Sequence, residues 1–314
     1  MSDIMAGERW AGWGCDGMNV LVTGADGFVG RHFCHAFGGA GLADGAGAVE
    51  LRDAGRVRAA VAAIRPDAVL HLAAHSSVAA SFQDPAQTLA VNVTGTLHLL
   101  QALDAVGFAG AFLYIGSGDV YGRVEEGDLP VREAQPLRPR SPYAVSKVAA
   151  EALCYQWSQT GGFRVLMARP FNHIGPGQDA RFAVADFARQ IMEMRLGRRE
   201  PVLVTGDLDV TRDFSDVRDV VRAYHLLLQR GENGSIYNVC SGRERPLRSL
   251  LEGLLQTAGV QAELRTDPAR LRPAEQRRMV GDPSAIRAAV GWANEISLEQ
   301  TLTDILDYWE KELR

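Results

Sequence analysis

The sequence predicts an α/β fold built on a doubly wound parallel sheet, and three observations carry that prediction. Apolar, β-branched runs alternate with stretches of helical period, the runs are nearly all apolar, and a glycine-rich turn closes the first of them. A strand that reads as a continuous apolar run is buried on both faces, so helices are expected on both sides of the sheet. The 314 residues suffice for one large α/β domain or two coupled ones.

Residues 1–17, "MSDIMAGERWAGWGCDG", lack the basic start and apolar core of a signal peptide and read as a loosely ordered extension. The first strand, "MNVLVTG", follows from Met18 and runs through its glycine turn into a helix. Between Arg31 and Val57 the chain is rich in Gly and Ala and offers no convincing second strand, so the first αβ unit is expected to be degenerate. Three further strands, "DAVLHLAA", "AFLYIGS" and "FRVLMARPFN", alternate with helix-period segments around 86–106 and 143–159. Past Pro170 the elements shorten, with "PVLVTG" and "SIYNVCSG" punctuated by Pro, Gly and Arg, and a last helix runs from about Leu298. The expected organisation is an extension at 1–17, a dinucleotide-binding domain at 18–171 and a smaller, mainly substrate-binding α/β region at 172–314, some segments of which return to the large sheet.

Composition excludes several classes of function. A net charge of −5 with 23% charged residues gives no basic excess to hold nucleic acid or an anionic membrane. No window approaches the roughly 20 apolar residues of a membrane span. Cys15, Cys34, Cys154 and Cys240 stand far apart without a Cys-x-x-Cys pair, which argues against a disulfide framework or a metal site and for a reducing cytoplasm.

The turn "VTGADGFVG" places Gly24, Gly27 and Gly30 between a strand and a helix. Glycine lets the backbone turn tightly and approach a pyrophosphate, while the helix N-terminus offers free N–H groups and the positive end of its dipole. That context makes the fold Rossmann-like and the turn a dinucleotide site. Glu50, twenty residues beyond Gly30, stands where a carboxylate takes ribose hydroxyls, or is a solvated surface charge. Arg31 is placed to greet a 2′-phosphate instead, so NADPH and NADH both remain open. Tyr143 and Lys147 are spaced i, i+4 and share a helix face, where a nearby ammonium is expected to lower the phenol's pKa and ready it as a proton donor. Ser117 ends the strand "AFLYIGS", at the edge where open α/β sheets gather ligands.

With Ser117, Tyr143 and Lys147 in that order after the glycine turn, the chain resembles the extended short-chain dehydrogenase/reductase family. The resemblance runs from Met18 onward through "HLAA" (71–74), "NVTGT" (92–96), "DVYG" (119–122), "YAVSK" (143–147) and "ARPFN" (168–172). It implies that Lys147 also binds the nicotinamide ribose and that Tyr143 and Ser117 meet the reacting oxygen. It further implies that Phe28, Val29, Leu51, Leu72, Ala73, Ala74 and His173 line the cofactor with the residues of the glycine turn. "RPFNHIGPGQ" (169–178), "TRDF" (211–214) and "LRPAEQRR" (271–278) are similar to the branch that handles GDP-hexoses, the 4,6-dehydratases and 4-keto reductases. By that likeness Asn172 touches the sugar diphosphate, Arg212 and Arg272 neutralise phosphate, Glu275 holds a ribose and His75 lines the substrate pocket. Arginine forks suit a diphosphate through charge-assisted, often bidentate bonds, whereas Arg277 and Arg278 are expected in surface salt bridges.

A dehydratase must remove a C5 proton as well as move hydride, and so needs an acid and a carboxylate base beside the hydroxyl residue. Here Gly118 supplies no acid, and Asp119 is one methylene shorter than the Glu that dehydratases carry. The expected activity is therefore NAD(P)H-dependent reduction of the C4 ketone of a GDP-4-keto-6-deoxyhexose. A GDP-mannose 4,6-dehydratase is the alternative, and a non-catalytic nucleotide sensor or scaffold is a further one. The resemblance also implies a homodimer through the helices at 86–106 and 143–159, where Ala149, Ala150, Leu153 and Trp157 supply an apolar face or serve equally well in an internal core.

Overall fold

A computed structural model describes residues 17–270 and 276–314. Its centre is a six-stranded, all-parallel sheet in the order Ile236–Val239, Arg164–Pro170, Ala111–Ile115, Ala68–His71, Val20–Thr23, Ala40–Gly41. Successive side chains of a strand point to opposite faces, and both faces are covered. Val20, Val22, Leu70, Leu113 and Leu166 enter one core beneath the helices Phe28–Phe37 and Val217–Arg230. Leu21, Val69, Phe112, Val165 and Met167 enter the other, beneath Ala54–Ile64, Gly95–Ala105 and Pro142–Thr160.

The second strand is only Ala40–Gly41, paired in parallel with the first. Its Gly/Ala composition gives little pleated surface to pack. The expected helix at 86–106 is interrupted. Pro85–Leu89 is α-helical, Ala90–Thr94 forms a π-bulge, and Gly95–Ala105 resumes the α-helix. Such bulges are frequent at functional sites, and this one carries the buried Asn92.

Beyond Pro170 a third core gathers Phe187, Ile191, Leu250, Leu254, Leu302 and Ile305 from the helices Ala183–Arg195, Leu247–Ala258 and Leu298–Leu313. The strand Ile236–Val239 nevertheless sits in the large sheet. A three-stranded sheet joins Asn172–Ile174, Thr211–Asp216 and Glu244–Pro246.

Of the two readings of Ala150, Leu153 and Trp157, their packing favours the internal core. Ala150 is buried, and Leu153 and Trp157 pack against the core beneath the sheet-facing side of their helix. The helix turns Val145 and Tyr155 outward instead, and Phe82 and Leu89 are exposed on the segments Val78–Gln83 and Pro85–Leu89. Among the described residues no helix is long and apolar enough to cross a membrane, and no group of His, Cys, Asp and Glu could hold a metal ion.

Candidate active site

The glycine turn lies at the carboxyl edge of the sheet and opens the helix Phe28–Phe37, whose N-cap Gly27 makes no side-chain cap bond. Gly24 adopts φ +74°, and a Cβ there would stand 3.0 Å from the Ala73 amide nitrogen. A Cβ at Gly30 would lie 2.2 Å from the Gly24 carbonyl oxygen. The turn is thus a cradle of bare backbone against a helix N-terminus, which fits a dinucleotide pyrophosphate.

Around it, Phe28 stacks on His173, with ring centroids 6.2 Å apart. His32 bonds the Pro176 carbonyl at 2.9 Å, and burial pulls its pKa down to about 4. Arg31 donates to the carbonyls of Asp26 and Gly177. These bonds join the turn to the segment Gly175–Gln178. Leu72, Ala73 and Ala74 follow the strand Ala68–His71 beside Gly24. Leu51 is buried against Gly95, while Glu50 is exposed and paired with Arg52 at 3.3 Å.

The helix Pro142–Thr160 begins where Ser141 accepts the Ala144 N–H and Pro142 takes the first helical position, two strong start signals. They set Tyr143 and Lys147 in its first two turns, both buried. Lys147 Nζ donates to the Ile115 carbonyl at 2.8 Å and lies 5.9 Å from the Tyr143 ring centroid. Ser117 caps the turn Gly118–Tyr121 by accepting the Asp119 N–H at 3.1 Å. Its side chain also faces Tyr143 and favours the phenolate. Serine, phenol and ammonium therefore converge.

The expected acidification of Tyr143 by Lys147 is corrected. Burial raises the phenol's pKa, Asp119 raises it further, and only the Ser117 side chain opposes them. Lys147 is itself buried, which lowers its pKa to about 8. Two desolvated groups, with the ammonium turned to a backbone carbonyl, leave Tyr143 protonated.

On the other side of the cleft, Asn172 is exposed and His173 bonds the Phe171 carbonyl. Arg212 is partly buried, with Nη1 on the Thr211 carbonyl at 2.7 Å. Arg277 pairs with Asp207, and Arg278 with Glu244 and Glu126, so both are surface ion pairs as expected. Arg272 and Glu275 lie outside the described residues. His75 is exposed, held through its backbone by the Asn92 side chain.

Two buried groups escaped the sequence reading. Arg169 pairs with Glu151, and His71 bridges Thr23 and Thr96. The second arginine of "FRVLMARPF" and the histidine of "AVLHLAA" were the available signals, since a polar group in a buried strand requires a partner.

This geometry defines an oxidoreductase site on a dinucleotide-binding fold. The model of the GDP-mannose 4,6 dehydratase family matches residues 47–305, and the chain belongs to that family, within the extended short-chain dehydrogenases/reductases. The chain is 55% identical over 249 residues to the GDP-6-deoxy-D-mannose reductase of Pseudomonas aeruginosa, covering 79% of this chain and 82% of that protein. Identity to the GDP-mannose 4,6-dehydratase of Vibrio cholerae serotype O1 is 28% over 288 residues, covering 82% and 76%. Among solved structures, RMD from Pseudomonas aeruginosa complexed with NADPH superposes with a TM-score of 0.87 at 48% identity, covering 94% of this chain and 99% of that one. The UDP-glucose 4-epimerase of Thermus thermophilus in complex with NAD superposes with a TM-score of 0.81 at 32% identity, covering 93% and 99%.

Proposed function

We propose that this chain reduces the C4 ketone of GDP-4-keto-6-deoxy-D-mannose to give GDP-D-rhamnose, with NADPH or NADH as cofactor. The carrying observation is the convergence of a protonated Tyr143, Ser117 and Lys147 beside the glycine cradle. The name of the family model favours dehydration. Against it stand the much higher identity to a reductase and the stretch Ser117-Gly118-Asp119. Without an acid at position 118, and with a shortened carboxylate at 119, the site is equipped for one proton donation, which is all that ketone reduction asks.

When bound, a reduced nicotinamide supplies the hydride. Ser117 and Tyr143 hold the ketone oxygen, and Tyr143 gives it the proton as the carbon–oxygen double bond becomes an alcohol. Burial keeps the phenol loaded at neutral pH. The Lys147 ammonium spends one proton on the Ile115 carbonyl and has two to spare for ribose hydroxyls. Gly24, Gly27, Phe28, Val29, Gly30 and Arg31 hold the pyrophosphate end, Leu51 and Leu72 to Ala74 flank the nucleotide with Glu50, and His173 approaches the cofactor through its stack on Phe28. Asn172, Arg212, Arg272, Glu275 and His75 serve the GDP-sugar.

The assignment extends to organisation. Residues 172–314 act mainly as the substrate-binding region, with 236–239 lent to the dinucleotide domain. The exposed Phe82, Leu89, Val145 and Tyr155 suit a homodimer formed through their helices. The unpaired Cys34, Cys154 and Cys240 suit the cytoplasm.

Purified protein given GDP-4-keto-6-deoxy-D-mannose and NADPH should consume one dinucleotide per sugar, with GDP-D-rhamnose identified by NMR. Conversion of GDP-mannose with no net dinucleotide consumption would identify a dehydratase instead.

A further inference from the structure

His71 ends the strand Ala68–His71, one strand away from the glycine turn, and is 2% exposed. Its Nδ1 lies 2.7 Å from Thr23 Oγ1 and its Nε2 2.9 Å from Thr96 Oγ1. The two threonines reach opposite halves of the site. Thr23 immediately precedes Gly24 and accepts the Ala73 N–H at 3.1 Å, at the point where Gly24 presses on the Ala73 backbone. Thr96 donates to the Asn92 carbonyl at 2.7 Å. The Asn92 side chain, in the π-bulge, donates to Ser146 Oγ at 2.9 Å, and Ser146 donates to the Tyr143 carbonyl at 2.7 Å.

Counting hydrogens along this chain leaves one arrangement. A hydroxyl has a single proton. Thr96 gives its proton to Asn92, so it can only accept from His71, and Nε2 must carry hydrogen. Thr23 accepts from Ala73 and gives its own proton to a bare Nδ1. Every member is satisfied only if the imidazole is neutral and in the Nε2–H form. Burial, with the Lys147 charge as a lesser influence, agrees by pulling the His71 pKa down to about 3. A fully satisfied buried network of this kind rigidifies the elements it joins.

We propose that His71 is a positioning residue. As a neutral Nε2–H imidazole it sets the glycine turn that holds the dinucleotide in register with the helix that carries Tyr143. The proposal rests on the reading of those two elements as cofactor and proton-donor sites, so its test includes readouts that need no turnover.

With ¹⁵N-histidine-labelled protein, long-range ¹H–¹⁵N NMR should show His71 with Nε2 protonated and Nδ1 bare, unchanged across the range of about pH 5–8 in which an ordinary histidine titrates. His71→Asn serves to assign the signal. An Nδ1–H form, or titration in that range, overturns the proposal. The two arms of the bridge should also fail differently. Thr23→Val should weaken NADPH binding about fivefold by fluorescence, with a smaller change in kcat. Thr96→Val should lower kcat about tenfold, as a slight misplacement of the donor does, and leave the NADPH Kd within about twofold. Loss of kcat and binding together, in proportion to lost thermal stability, would reduce the bridge to ordinary packing. If the ketosugar proves not to be the substrate, the tautomer and NADPH measurements still decide the matter.

Discussion

The Arg169 guanidinium grips the Glu151 carboxylate with two bonds, of 2.6 and 2.9 Å, and the two side chains are only 3% and 6% exposed. Glu151 stands one turn beyond Lys147 on the same helix, and Arg169 lies in the strand that flanks Ala111–Ile115. The Nη1 group of Arg169 donates to the Tyr121 hydroxyl and the Glu133 carbonyl, each at 2.9 Å, and Tyr121 passes its own proton to Asn238. Removing one partner of such a pair leaves a buried charge without compensation. Arg169→Met should therefore lower stability by about 3–5 kcal/mol in urea unfolding, and Glu151→Leu combined with it should recover much of the loss. Equal stability of the single and double variants would show that the pair does not hold this helix in place.

The Tyr143 hydroxyl, buried near Ser117 and held in its protonated form, should matter to turnover far more than to binding. Tyr143→Phe is expected to lower kcat at least about a hundredfold, the smaller end of what acid catalysis contributes. The NADPH Kd should stay within a few-fold, because the phenyl ring still packs at the start of its helix. Steady-state kinetics alongside fluorescence titration would separate the two. A variant with near-normal kcat would remove Tyr143 from the reaction.

The burial of Lys147 implies a pH limit within reach of experiment. Its pKa lies at about 8, below the ordinary lysine value, because the charged form is poorly solvated. The ammonium is present below that pH and lost as pH rises through it, so kcat/KM should decline along an alkaline limb with a midpoint near 8 in the free enzyme. Tyr143 does not produce this limb, since its own pKa is raised. Lys147→Arg, which keeps its charge over the whole range, should be slower at neutral pH and show no such decline. A wild-type profile flat to about pH 10, the ordinary lysine range, would contradict the assignment.

How much was legible in the sequence follows from which interactions are local. The parallel strands, the glycine turn and the Tyr143–Lys147 spacing are patterns within a short window, and each could be read directly. Even the two-residue strand Ala40–Gly41 was foreshadowed by the poverty of β-branched residues around it. Burial was not local. The helix 142–160 shows apolar residues on several sides, so the choice of Val145 and Tyr155 over Leu153 and Trp157 for the outer face depends on where the sheet lies. The same holds for the pKa of Tyr143. Spacing placed an ammonium nearby, but desolvation outweighs it once the helix is docked. The partners of His71 and Arg169 lie 25 or 48, and 18, residues away, distances at which a sequence indicates a need for a partner without naming it.

The glycine cradle allows two chemically identical substitutions to be set against each other. A methyl group at Gly30 would lie 2.2 Å from the Gly24 oxygen and 2.7 Å from the Ala25 oxygen, both backbone atoms that cannot swing aside. Gly30→Ala must therefore push the helix Phe28–Phe37 away from the turn, and NADPH affinity should fall by more than about tenfold, together with thermal stability. At Gly55, in the helix Ala54–Ile64, the nearest atom to an added methyl is Asp53 Oδ1 at 3.4 Å, an ordinary contact. Gly55→Ala should stabilise the protein by about 0.4–1 kcal/mol, because alanine has less backbone freedom to lose, and leave NADPH affinity unchanged. Thermal melts with and without NADPH measure both effects. If Gly30→Ala bound NADPH as well as Gly55→Ala, the turn would not be the place where the dinucleotide meets bare backbone.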